Sequence, residues 1–231
     1  MSDNLISCEL KLSGFKDHFV MGLNLMERFS DSFRANIVVA VSDRSVEALQ
    51  TFVSKDCSFT IYGINGEKKT IFGMITEIYF RDTAGDRSLV ELVIEPKLAK
   101  ASFGRQRKIY QDKSAVEIVE AVLSQSGITL DKSKLTGSSA KREYCVQYDE
   151  SDLNFVKRLM ASEGIGYFFS HSGSKSNLTL CNSKSAYVGK NNSASGPALS
   201  LGHFGGSGRS DETSFSSLEL EHTLALATVS V

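Results

Sequence analysis

The chain has 231 residues, of which 41% are hydrophobic and 23% charged, with a formal net charge of -1. That length suffices for one large or two modest domains whose core needs no disulfides, and the small net charge gives no global pull toward nucleic acid or an acidic membrane. No run reaches the roughly eighteen apolar residues of a membrane-spanning helix, so stable membrane insertion is not expected.

The opening MSDNLISCELKL lacks a basic segment followed by an apolar one, and no Sec signal is expected. From Ser7 to Pro96 the pattern is β. Cys8, Leu10 and Leu12 alternate, as do Phe19, Met21, Leu23 and Leu25, and then Phe33, Ala35, Ile37, Val39 and Val41. Asp43 and Ser45 are candidate N-caps for a short helix through Val46, Leu49, Phe52 and Val53, a plug for one end of a barrel. Phe59 and Ile61 lead to Asn65-Gly66, a pair suited to a tight hairpin, and the return strand runs from Ile71 to Tyr79. A turn from Asp82 to Arg87 precedes Val90, Leu92 and Ile94, and Pro96 ends that strand because it has no amide for a ladder. Antiparallel strands with a covering helix predict a small closed barrel or strongly curved sheet.

After Lys97 the period changes. Ser114-Ala-Val-Glu117 is a capping box, and Ala115, Ile118, Val119, Val122 and Leu123 follow at helical spacing up to Gly127-Ile128. In 142–169, Tyr144, Val146 and Tyr148 alternate with Cys145 and Gln147, the pattern of a strand with one buried face. Asp149 or Ser151 then caps a helix whose apolar side is Leu153, Val156 and Met160, flanked by Phe155 and Leu159. Gly164 stops it, Ile165 packs back on Met160, and a strand begins at Tyr167, giving one packed β-α-β piece. Leu178 to Leu180 can pair with Gly166 to Ser170. Residues 184–213 are rich in Ser, Gly and Asn and read as a flexible connection, while 214–231 alternate again and stop abruptly at Val231, as a truncated domain would.

Little here points to chemistry. Cys8, Cys57, Cys145 and Cys181 form no CxxC pair and sit in apolar runs, which predicts buried free thiols in a reducing compartment. His18, His171, His203 and His222 have no metal-ligand spacing. No G-x-S-x-G elbow is present. Asp149, Glu150 and Asp152 fall within one helical N-terminus, where capping explains them better than a glycosidase pair facing across a cleft. Gly202 to Gly208 lacks the strand, Lys-Ser/Thr and helix of a phosphate loop. Arg105, Arg107 and Lys108, with Tyr110, are too few for nucleic-acid binding and read as a solvated strand edge or a charged subunit surface. No catalytic, cofactor-binding or metal residues are assigned, and an enzyme is not expected.

The segment YCVQYDESDLNFVKRLMASEGIGYFF resembles the one found in VgrG spike proteins of the type VI secretion system, relatives of the phage tail baseplate hub. RQRKIYQDKSAVEIVEAVLSQSGI resembles the same family's strand and helix, although family members carry a tryptophan just before it and this chain has none. The resemblance and the patterning together predict an α+β chain: a first hub β-barrel in 1–97, an α+β domain in 98–183, the connection in 184–213 and the start of a second β-barrel in 214–231. The function this implies is a structural hub of the cell-puncturing spike of a contractile injection machine, a trimeric adaptor between a hexameric tube and a needle. Alternatives are a phage tail baseplate hub, or a cell-wall-active enzyme or glycan-binding module. Implied partners are two further copies in the full-length protein, an Hcp-like hexameric tube, and a needle-tip protein and effectors through the full-length chain, with no nucleic acid. The implied location is cytoplasmic before firing, then secreted without a Sec signal into a target cell or the medium. Lacking a needle, the 231-residue chain is expected to be largely monomeric in dilute solution; light scattering that gives a tight trimer at micromolar concentration contradicts this.

Overall fold

The computed structural model describes residues 7–42, 46–62, 68–84, 87–183, 200–201 and 214–215. The alternating stretches before Pro96 form β1 (Ser7–Leu12), β2 (His18–Met26), β3 (Arg34–Val41), β4 (Asp56–Tyr62), β5 (Lys68–Ala84) and β6 (Arg87–Glu95). They make one six-stranded antiparallel sheet in the order β1-β4-β5-β6-β3-β2. It curls into a nearly closed barrel, and His18 Nε2, 3.2 Å from the Leu10 carbonyl, bridges the two edge strands. Ile37, Val39, Phe59, Ile71, Ile75, Val90, Leu92 and Ile94 fill the inside and are fully buried. A short α1 (Val46–Gln50) brings Leu49 into this core, and Phe52 just beyond it meets Phe15 edge-on with centroids 5.1 Å apart.

In β2 the structure departs from simple alternation. A bulge between Val20 and Gly22 shifts the register, and one extra residue exchanges the two faces of a strand. Phe19 and Met21 therefore stand exposed, while Val20, Leu23 and Leu25 pack on the barrel core.

Beyond Pro96 a 3-10 turn (Lys97–Ser102) leads into β7 (Gln106–Ser114), α2 (Ala115–Ser124), β8 (Leu130–Lys134), β9 (Lys141–Glu150), α3 (Asp152–Ser162), β10 (Gly166–Ser172) and β11 (Lys175–Cys181). The capping box of α2 is complete: Ser114 Oγ accepts the Glu117 amide at 3.3 Å, and Glu117 accepts the Ser114 amide at 2.7 Å. For α3 it is Ser151, not Asp149, that caps, accepting the Asn154 amide at 3.2 Å. Both helices end at a glycine with φ near +65°, Gly127 (+68°) and Gly164 (+65°), and the next amide, of Ile128 or Ile165, reaches back to Leu123 or Met160. Ile118, Val119, Val122 and Leu123 face Phe155, Val156, Leu159 and Met160 in a second core; Leu153, at the first turn of α3, is only half-buried.

The β-α-β piece is not built around one sheet. β9 pairs with β7 in a two-stranded ribbon, whereas β10 pairs with β11, which runs parallel to β8. The buried side of β9 is Cys145 and Gln147, and Tyr144 and Tyr148 stand 56% and 73% exposed. Helices cover this face of the ribbon, where Tyr110 of β7, opposite Cys145, stacks on Phe155. Gln147 fits there because its amide nitrogen donates to Asp152 at 2.7 Å and to the Glu150 carbonyl at 3.3 Å.

The second unit, 187–231, is described only where β12 (Ser200–Leu201) pairs in parallel with β13 (Ser214–Phe215). The expected flexible connection in 184–213 and truncated barrel in 214–231 otherwise lie outside the described residues, as do the caps Asp43 and Ser45, the Asn65-Gly66 turn and Gly85.

Replacing Ser114 with alanine removes half of the capping box and should cost about 1 kcal/mol, read as a lower urea midpoint at unchanged m-value.

Candidate functional site

Two cores joined by a chain move against one another unless something ties them. Here the tie is the tip of the β2–β3 hairpin, residues 27–33, laid across β10. Ser30 and Tyr167 bond twice: the Ser30 amide donates to the Tyr167 carbonyl at 2.8 Å, and the Tyr167 amide donates to Ser30 Oγ at 3.4 Å. Ser30 holds φ +56° to do so, a left-handed conformation costing about 1–2 kcal/mol in a non-glycine residue, which the two bonds help offset.

Around that contact each residue of the Gly164-Ile-Gly-Tyr-Phe-Phe169 run has a separate task. Gly166 leaves room for Phe29, since a Cβ there would lie 2.4 Å from Phe29 Cε1. Phe168 stacks on Phe29 with centroids 6.4 Å apart. Phe169 meets Phe33 edge-on at 5.5 Å and packs against both cores. Tyr167 is 2% exposed, and burial pushes its hydroxyl well above the usual tyrosine range, with the Asp31 charge adding to the effect. Asp31 accepts from Lys157 Nζ at 2.7 Å and from the Ser32 amide at 2.9 Å, and these bonds hold its carboxyl below the usual range. Further along β10, His171 Nδ1 accepts the Phe72 amide of β5 at 3.2 Å.

The groups singled out for chemistry do not converge. Asp149 pairs with Arg105 at 3.4 Å and Arg107 at 3.7 Å, Glu150 with Arg158, and Asp152 with Gln147. The basic cluster is thus partly neutralised, with Arg107 over the Tyr148 ring at 5.5 Å and Lys108 bonded to Gln125 at 2.9 Å. All four cysteines are free and three are buried; burial pushes Cys57 up to about 12, far from a reactive thiolate. His18 bridges β1 and β2, His171 lies in the joint, and Gly202 to Gly208, His203 and His222 fall outside the described residues. Among the described residues no His/Cys/Asp/Glu group could hold a metal ion, and no helix is long and apolar enough to cross a membrane. A cleft of about 210 Å³ beside the joint is edged by Asp56 and Lys97, which bond to each other at 2.8 Å.

Sequence reasoning found the β10 run but missed its counterpart. Phe29, Ser30 and Asp31 follow no periodicity, and the one available signal was a glycine two residues beyond a helix stop, where the first glycine had already served.

A nearly closed antiparallel barrel tied to a helix-covered ribbon is the frame of the described residues, and it is the fold of a tail-hub protein. The chain belongs to the phage tail baseplate hub (GPD) family, whose sequence profile matches residues 26–231. It is 30% identical over 186 residues to the type VI secretion system spike protein VgrG3 of Vibrio cholerae, covering 76% of this chain and 18% of that protein. To the actin cross-linking toxin VgrG1 of Vibrio cholerae it is 27% identical over 184 residues, covering 75% and 17%. The solved E. coli c3393 protein, a component of the type VI secretion system with structural similarity to T4 bacteriophage tail proteins gp27 and gp5, superposes with a TM-score of 0.67 at 24% identity. That match covers 84% of this chain and 52% of that one. The chain therefore spans under a fifth of these curated relatives and about half of the solved one.

Alanine at Gly166 should displace Phe29 from Phe168 and cost about 1 kcal/mol, the worth of an aromatic pair. With Phe29 already replaced by alanine, the same change should cost almost nothing, and denaturant unfolding of the four proteins in the cycle measures the coupling.

Proposed function

We propose that the chain is the hub part of the cell-puncturing spike of a contractile injection machine of the type VI secretion kind. In this reading three copies of the full-length protein form a ring between an Hcp-like hexameric tube and a needle, and the full-length chain carries the tip protein and effectors. The protein waits in the cytoplasm and leaves without a Sec signal. The domain limits that fit this role are a barrel in 1–97, an α+β domain in 98–183, a connection in 184–213 and a second barrel beginning at 214.

The observation that carries the reading is the joint. A hub displaced as a rigid body by a contracting sheath has to transmit force without hinging, and the Ser30–Tyr167 bonds together with Phe169, shared by both cores, oppose hinging. Such work needs shape and stiffness and turns over no substrate. The acidic residues considered for a cell-wall hydrolase are held instead in ion pairs, Asp149 with Arg105 and Glu150 with Arg158, and in the hydrogen bond Asp152 accepts from Gln147. A phage tail hub would use the same geometry, and the spike names of the curated relatives favour the secretion machine.

Deleting the full-length gene should abolish release of the tube protein into the medium, and the wild-type gene should restore it. Undiminished release from the deletion strain would sink the proposal. Purified chain should liberate no soluble fragments from peptidoglycan; liberation that Asp149→Ala or Glu150→Ala abolishes in a folded protein would establish the hydrolase reading instead.

A further inference from the structure

His171 occupies an unusual place in the joint. The strand β6 ends at Glu95, which lies opposite Met74, so the stretch of β5 before Met74 has no β6 partner on that side. The amide of Phe72 lies in this stretch and finds its acceptor in His171 Nδ1, at 3.2 Å across the joint. Accepting at Nδ1 requires the neutral ring with its proton on Nε2. Nε2 is itself buried, with no hydrogen-bond partner among the described residues. Rings enclose the imidazole: Phe33 lies edge-on with centroids 5.5 Å away and Phe72 tilted at 6.4 Å.

We propose that His171 is a proton-operated fastening between the barrel and the helical lobe: neutral, it accepts the Phe72 amide and holds the joint closed; protonated, it cannot, and the joint loosens. The proton comes from solvent and occupies the Nδ1 lone pair that the amide otherwise uses. The resulting cation is left between two phenyl rings with no acceptor for Nε2–H. Burial already pushes the imidazole below its ordinary value; nearby, Glu27 opposes this and Lys69 reinforces it. Those two side chains bond to each other, as do Asp56 and Lys97 in the cleft lined by Phe72, while Arg34 at the start of β3 is held by Glu77 and Glu95. Lys175 begins the paired strand β11. No carboxylate among these is bonded to the ring to rescue the imidazolium.

The sign follows from linkage. The ring binds a proton less readily in the closed joint than in the open one, where it has its ordinary value of 6.5. The closed state is therefore fully favoured above that value and loses ground as pH falls below it, by at most about tenfold in the opening constant per pH unit. The carboxyls of Asp31 and Glu77 are held low and titrate beneath this window.

Amide exchange of Phe72 in the isotope-labelled chain, corrected for intrinsic rate, reads the opening directly. Its protection should drop on going from about pH 7 to about pH 5, by up to about tenfold per unit. In His171→Gln, whose carbonyl oxygen accepts the same amide without titrating, it should stay level. Should that variant not fold, the wild-type ring nitrogens decide alone: a proton on Nε2 at neutral pH, a midpoint below 6.5, and a Phe72 amide shift that moves with it support the proposal. Constant Phe72 protection through the His171 titration, a midpoint at or above 6.5, or a neutral ring with its proton on Nδ1 would overturn it.

Discussion

The structure of the first unit depends on the seating of the hairpin tip of the barrel on β10. Each core is built mainly from its own elements: the barrel strands line one, α2 and α3 bury their apolar faces against one another in the other, and Phe169 packs against both. Two such bodies have no reason to keep a fixed angle beyond the contacts that cross between them. Around Gly166 those contacts are of three kinds, a two-way backbone and hydroxyl bond at Ser30, the Asp31–Lys157 ion pair, and phenyl rings meeting across the glycine, and further along β10 His171 accepts the Phe72 amide. The ion pair is partly exposed and contributes little alone. The rings and the Ser30 bonds fix direction, because a slide of one residue along β10 would bring a side chain against Phe29.

This explains why β10 has the composition it does. A helix stop needs Gly164, and the sharp reversal after it needs Ile165 to pack back on Met160. Close approach of the barrel then needs a second residue without a side chain, and the aromatics that follow alternate between the two lobes. Phe169 belongs to both cores, so a change there is felt in both. What looks in sequence like a strand with an aromatic flourish is a set of positions each answering to a different neighbour.

Much of the fold was legible because its signals are local. The capping box at Ser114, the two glycine-isoleucine stops and the alternation through 33–41 each depend on residues a few places apart, and each has its expected conformation. Errors came where the deciding partner is remote. Nothing near Tyr144 and Tyr148 says that their strand belongs to a two-stranded ribbon covered on one side, so alternation alone left open which face is buried. The bulge at Val20–Gly22 likewise reverses β2 through pairing with β3 rather than through its own pattern. The joint was least legible of all, since 27–33 and 166–171 are separated by four strands of barrel and the whole helical lobe.

Among the described residues the displaced ionisable groups are spread over the surface and through the two cores. A reactive centre gathers ionisable groups whose environments push them apart in proton affinity inside a pocket. In this chain the carboxyls held low are those that accept caps and ion pairs at the surface: Glu117 from Ser114, Glu163 from Arg142 and Ser139, and Glu91 from Asn36 and Arg81. Cys57 and Tyr167 are displaced upward chiefly by burial in the two cores. His171 combines a half-buried ring, a lowered proton affinity and a side-chain bond across the joint. Among the described residues, charge and proton affinity therefore bear on how firmly one rigid body is fastened to another, through the Asp31–Lys157 pair and the His171–Phe72 bond.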